Sequence, residues 1–201
     1  MRTSRILVAL ALASTLSLTA CSIEKNGSHD NENVKISTPF GGMSVKTNEN
    51  VVVADIGLPV YPGATVVKKD KDSGAADLNM SFGSFQLRVK AISYHTGDSS
   101  DKVLAFYQKA LGRYGDVIHC EGNKPVGSPM QTSEGLACSD HVDPHIHTDI
   151  HADVGDINNA KIELKAGSHL HQHIVAIDTQ SDGTKFGLVA LDLPAGSQDS
   201  N

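Results

Sequence analysis

FQLRVKAISYHTGDSSDKVLAFYQKALGRYG, residues 85–115, contains the change of hydrophobic period that decides the fold class. From Phe85 to Tyr94 the pattern alternates, with Phe85, Leu87, Val89 and Ala91 on one face and Gln86, Arg88 and Lys90 on the other. A period of two predicts a half-buried strand. Beyond Gly97 the period lengthens. Val103, Tyr107, Ala110, Leu111 and Tyr114 fall at i, i+4, i+7, i+8 and i+11, the apolar stripe of an amphipathic helix over about 98–114. Asp98 or Ser99 can cap that helix, and Asp101 adds negative charge to its first turn. Gly112 weakens the last turn, and Gly115 is placed to end it.

Downstream, residues 117–120, 160–165, 174–178 and 186–193 read as strands, separated in part by the turn sequences AGSH and QSDGT. Upstream, VKIS and MSVKT flank TPFGG within residues 34–50, which predicts a small β-hairpin extension. Val51-Val52-Val53 begins the folded body, and LPVYPGA (58–64) is an extended, proline-bracketed segment. One clear helix among many strands predicts an α+β domain over 51–194 with a largely antiparallel sheet. No internal repeat is visible. Residues 195–201 read as a disordered tail, and SIEKNGSHDNEN (22–33) as part of a flexible tether over 21–33.

The N-terminus carries a different signal. Arg2 and Arg5 precede an uncharged apolar run from Ile6 to Leu18, too short for the ~20 residues of a membrane-spanning helix but suited to a secretory signal. Leu18-Thr19-Ala20-Cys21 resembles the lipobox of bacterial lipoproteins. That resemblance implies a signal peptide over 1–20, cleavage after Ala20, a diacylglycerol on the Cys21 thiol and, in many bacteria, an acyl chain such as palmitate on the new amino group. Two or three chains hold a bilayer stably where one does not. By similarity to the sorting rule of enteric bacteria, Ser22 at the next position favours the outer membrane over the inner.

Cleavage would remove Arg2 and Arg5 from the 17 basic side chains, leaving 15 against 23 acids and a mature charge of −8. An acidic domain is a poor partner for nucleic acid or for anionic lipid. With no Trp and few aromatics, a stacking platform for sugars or bases is also poorly supplied. If Cys21 goes to lipid, Cys120 and Cys138 remain as an even pair in an oxidising compartment, and a disulfide is expected between them. Zinc is the competing use of two thiols, but the C-x2-C spacing of structural sites is missing.

STPFGGMSVKT, LPVYPGA, TGDSSDKVLAFYQKALGRYG and HIVAID…TKFGLVALDL together resemble exported bacterial proteins of unknown function, over most of residues 34–193. The resemblance implies a compact exported domain and brings no activity or site residue.

Histidine is the unusual component. Asp140 to Asp156 reads DHVDPHIHTDIHADVGD, and His169, His171 and His173 follow, spaced to share one face of a second strand. Pro144 argues against a helix. In a strand, His145, His147, Asp149, His151 and Asp153 would share one face opposite Ile146, Thr148, Ile150, Ala152 and Val154. Neutral imidazoles with carboxylates are ligands for Zn²⁺, Cu²⁺ or Ni²⁺. His145, His147, Asp149 and His151, with His169, His171 and His173, are therefore the candidate metal residues. The plainer reading makes them solvated polar residues, and a third makes them a pH sensor, because the 10 histidines carry much titratable charge. His29, His95 and His119 stand apart and read as incidental.

Enzyme motifs fail on inspection. HIHTDIH resembles the H-x-H-x-D-H signature of metallo-β-lactamase-type hydrolases, but Ile150 separates Asp149 from His151 and breaks the spacing. Gly97-Asp98-Ser99 is similar to the nucleophile block of GDSL-type esterases, without their C-terminal D-x-x-H. There is no G-x-S-x-G, H-E-x-x-H or phosphate-binding glycine loop. The expectation is a membrane-tethered, non-enzymatic domain that binds a transition metal through its histidine strands. The alternative is an interaction module that docks an envelope protein with no metal role, and a metal-dependent hydrolase comes third.

Overall fold

The computed structural model describes residues 21–26, 33–68, 74–140 and 162–195. Eleven strands of these residues form one antiparallel sheet. In chain order they are β1 (Ser22–Asn26), β2 (Asn33–Thr38), β3 (Gly41–Lys46), β4 (Thr65–Val66), β5 (Ala75–Phe82), β6 (Phe85–Thr96), β7 (Val117–Glu121), β8 (Lys124–Pro125), β9 (Ile162–Gly167), β10 (His171–Gln180) and β11 (Gly183–Asp192). Their spatial order is β1-β2-β3-β5-β6-β11-β10-β9-β7-β8, and the short β4 pairs with β6 beyond the end of β5. Two helices complete the described structure, α1 (Glu49–Ile56) and α2 (Ser100–Leu111), the latter prolonged by a 3₁₀ turn at Gly112–Tyr114. The architecture is a sheet-dominated α+β fold.

The helix stripe read from the sequence is the one that packs. Val103, Tyr107 and Leu111 are fully buried against Leu164, Val175, Ile177, Phe186 and Leu188, which point to one face of β9, β10 and β11. Side chains of this kind each contribute roughly 1.5–3 kcal/mol when removed from water. Tyr61, Tyr94, Phe106, Tyr107 and Phe186 form an aromatic centre with ring separations of 5.0 to 6.1 Å. Gly115, at φ 112°, ends the helical segment in a conformation that a side chain would strain.

The capping expectation needs correcting. Ser99 occupies the cap position of α2, but no side-chain cap bond is made there. The Asp98 carboxylate turns away instead, to the Tyr61 hydroxyl at 2.9 Å and the Lys102 ammonium at 2.7 Å.

Helix α1 runs through Val51-Val52-Val53, a β-branched series with modest helix propensity. Tertiary burial outweighs that propensity, since Val52 and Ile56, one turn apart, both reach the core. Lys90 on β6 pairs with Asp55 at 2.8 Å, and the Tyr114 hydroxyl donates to the Gly57 carbonyl at 2.9 Å just past the helix end.

The sheet face opposite the helices carries Leu87, Ala91, Ile174, Val189 and Leu191, which form a second, smaller core with Met80, Val89 and Leu193. Ser22–Asn26, which composition places in a free tether, are instead the edge strand β1, paired with β2 from Ser22↔Ser37 to Asn26↔Asn33. The hairpin β2–β3 joins the same sheet through β5, with Met43 opposite Met80.

Candidate functional site

The predicted disulfide is present. Cys120 on β7 and Cys138 are bridged, with Cα atoms 5.6 Å apart, and Cys21 is free and exposed. Around the bridge Ile118, Leu136 and both cysteines form a third buried cluster. The segment after β8 is fastened over β9 by the Thr132 hydroxyl, which donates to the Gly167 carbonyl at 2.9 Å. Asp140 ends this segment with its carboxylate accepting the Ala137 amide at 2.7 Å.

His145, His147, Asp149 and His151, with the rest of 141–161, lie outside the described residues. His169, His171 and His173 are described, and the fold sends them to three different places. His169 sits in the turn before β10, its Nδ1 3.0 Å from the Asp140 carboxylate. His171 begins β10 and pairs across the strands with Asp192 at 2.8 Å, both side chains exposed. His173 points to the helix face and lies against the Tyr114 ring, the centroids 3.6 Å apart and the planes 13° from parallel. Burial lowers the His173 pKa, assisted by the Arg113 charge and opposed by Asp192 and a backbone hydrogen bond at Ile56. The shared strand face brings His171 and His173 to one side, but each ring is taken by its own partner. Among the described residues no group of three or more His, Cys, Asp or Glu side chains is placed to hold a metal ion.

The other described histidines, His95 and His119, lie apart from this cluster. His95 Nε2 is 3.4 Å from Asp182, and His119 on β7 has a buried Nε2 with no hydrogen-bond partner among the described residues.

Sequence reading missed two polar arrangements. The first is the knot at Asp98. Its carboxyl is held below the ordinary carboxylate range by the Lys102 hydrogen bond and then by Tyr61, while the Thr184 hydroxyl donates to its backbone carbonyl at 2.7 Å. The knot ties α2 to β11 and to the segment before β4. Asp98 is thereby fixed between Tyr61, Lys102 and Thr184. Tyr107 completes this region, accepting the Tyr61 amide at 3.2 Å and donating to the Pro59 carbonyl at 3.1 Å. Its burial raises the phenol pKa far above its ordinary value.

The second arrangement is Lys165, only 2% exposed, with its ammonium 2.9 Å from the Asp140 carbonyl and 3.3 Å from the Glu163 carboxylate. The signal for it was visible. Glu163 and Lys165 alternate with Ile162, Leu164 and Ala166, so β9 carries a charged face that the disulfide-bound segment then covers. A buried pair of this kind is weak evidence for stability; the Lys165 bond to the Asp140 carbonyl ties the disulfide-bound segment to β9.

Comparison with protein-family models, with curated proteins and with solved structures finds no match to this chain.

Proposed function

We propose that the chain is an exported lipoprotein whose acylated Cys21 holds a non-enzymatic binding domain at the cell envelope. The observation that carries this reading is the use of cysteine: Cys120 and Cys138 are bridged, as in an oxidising compartment, and Cys21 is the exposed thiol left over. The polar groups fit a scaffold. Asp98, Tyr107 and Lys165 are engaged in tying elements together, which is a structural use of groups that catalysis would need free. An envelope protein is the partner class for such a module, and the outer membrane is the membrane favoured by Ser22.

A transition-metal role is the narrower reading, and it rests on His145, His147, Asp149 and His151, because His169, His171 and His173 are separately engaged. Titrating Zn²⁺, Cu²⁺ or Ni²⁺ into the exported protein tests it, with a scrambled 140–151 segment as control. Equal, weak binding by both would return the histidines to the solvated surface. For the anchor, the expected result is that Cys21→Ala abolishes lipid labelling and cleavage after Ala20. Normal processing with unchanged membrane retention in that variant would contradict it.

A further inference from the structure

The strand register puts the proposed anchor at the same end of the sheet as Ile23, Phe40, Phe82 and Phe85, four of the seven exposed large apolar side chains among the described residues. Ser22 pairs with Ser37, so Cys21 stands level with Thr38. Thr38 is opposite Gly41, Gly41 opposite Phe82, and Phe82 opposite Phe85. That row crosses β1, β2, β3, β5 and β6 and includes the turns of two hairpins. At strand spacings of ~4.8 Å it extends roughly 20 Å from the anchor.

This end is apolar where water would ordinarily demand polarity. Phe40, in the β2–β3 turn, is 83% exposed, while Phe82 and Phe85, at the β5–β6 turn, are 42% and 39% exposed. Three of the chain's 5 phenylalanines are therefore at these tips. Ile23, two residues after Cys21, is 71% exposed and heads a second row, Ile23–Ile36–Met43–Met80–Leu87, on the face without helices. The turn regions 36–44 (ISTPFGGMS) and 79–87 (NMSFGSFQL) contain no charged side chain, in a chain where 20% of residues are charged. The charges nearest the anchor are Glu24 and Lys25 on β1, of opposite sign, with Glu24 opposite Lys35 on β2.

We infer, resting on acylation of Cys21, that this end is a lipid-docking surface: Phe40, Phe82, Phe85 and Ile23 enter the headgroup region beside the acyl chains. Aromatic side chains suit that interface, and insertion reaches ~5–10 Å into it. A tether would let the domain swing freely. With β1 starting one residue after Cys21, the lipid and the hairpin tips meet the bilayer together. The domain then stands end-on, its β8 edge farthest from the anchor in strand order.

The chain has no Trp, which makes a clean test available. Phe40→Trp, Phe85→Trp and, as a control at the opposite edge, Val126→Trp are prepared as exported protein in vesicles of phosphatidylethanolamine and phosphatidylglycerol with brominated acyl chains. Fluorescence of the Phe40→Trp and Phe85→Trp proteins is expected to be quenched at least about twofold more than that of Val126→Trp, with emission shifted to the blue. The mass of the N-terminal peptide reports acylation independently. Acylated protein with tips quenched no more than the control, whether they face water, a second copy or another protein, would overturn the docking surface and leave the anchor standing. Unacylated protein whose tips are still quenched would overturn the anchor and support docking by the tips alone. Unacylated protein with unquenched tips would remove both. Adding Phe40→Ser, at a site too exposed to affect folding, to the acylated Phe85→Trp protein should reduce its quenching; unchanged quenching there would count against docking.

Discussion

Two ends of one sheet are built on opposite terms. Where α1 and α2 lie on β6, β11, β10 and β9, Tyr107, Phe186, Leu111 and Leu164 are withdrawn from water and their polar atoms are matched. At the Cys21 end the same pairing rules hold the backbone, yet β1 is exposed throughout and Phe40 projects from an uncharged turn. Sheet continuity therefore does not imply shared energetics. Helix packing stabilises the first region, while the second extends the sheet by main-chain pairing beyond the small Leu87–Met80 cluster, with Phe40 and Ile23 left exposed.

Substitutions on the two sides put that contrast at risk. Tyr107→Ala should cost about 3–5 kcal/mol, because it empties the aromatic centre and orphans the Pro59 carbonyl and Tyr61 amide. Phe40→Ala should remain within about 0.5 kcal/mol in the same denaturant titration. Equal losses at the two sites would abolish the distinction.

Next in size is the staple. Replacing Cys120 and Cys138 together by Ala should lower stability by about 3 kcal/mol, since the bridge closes a loop of 18 residues in sequence separation. Measured by thermal unfolding under reducing and non-reducing conditions, only the wild-type protein should respond to reductant.

A smaller effect comes from His173. Its folded pKa lies below the ordinary value of 6.5, so the unfolded chain takes up the proton first. The contribution of the neutral ring is whole above about pH 6.5 and is lost as pH falls from there towards the folded pKa. Denaturation at about pH 7 and about pH 5 should show a decline in the wild type that His173→Phe lessens. An identical decline in both would locate the acid sensitivity elsewhere.

How much of this was legible in the sequence follows the same division. The 85–114 strand and helix could be read because burial imposed a period on them, and the disulfide because assigning Cys21 to the proposed lipid anchor leaves a single pair of the three cysteines. The helix over Val51-Val52-Val53 was hidden, since its burial depends on a sheet that local propensity cannot see. Residues 75–82 carried a usable alternation, Ala76, Leu78, Met80 and Phe82, which β5 then follows. The polar β1 gave no signal at all, because its pairing is dictated by β2. At the candidate site, spacing put His169, His171 and His173 on one strand face, but β10 begins only at His171, and spacing could not show that Asp140, Asp192 and Tyr114 would take the three rings. The docking end escaped notice for the same reason as β1: register, which sequence does not display, brings Cys21 level with the turns.

Hydrogen–deuterium exchange of the acylated protein, with and without vesicles, reads both ends of the sheet in one experiment. Slower exchange on vesicles is expected in β2, β3 and the β5–β6 turn, with α2 and β10 unchanged. Slowing spread evenly over both regions, or confined to α2 and β10, would contradict the division.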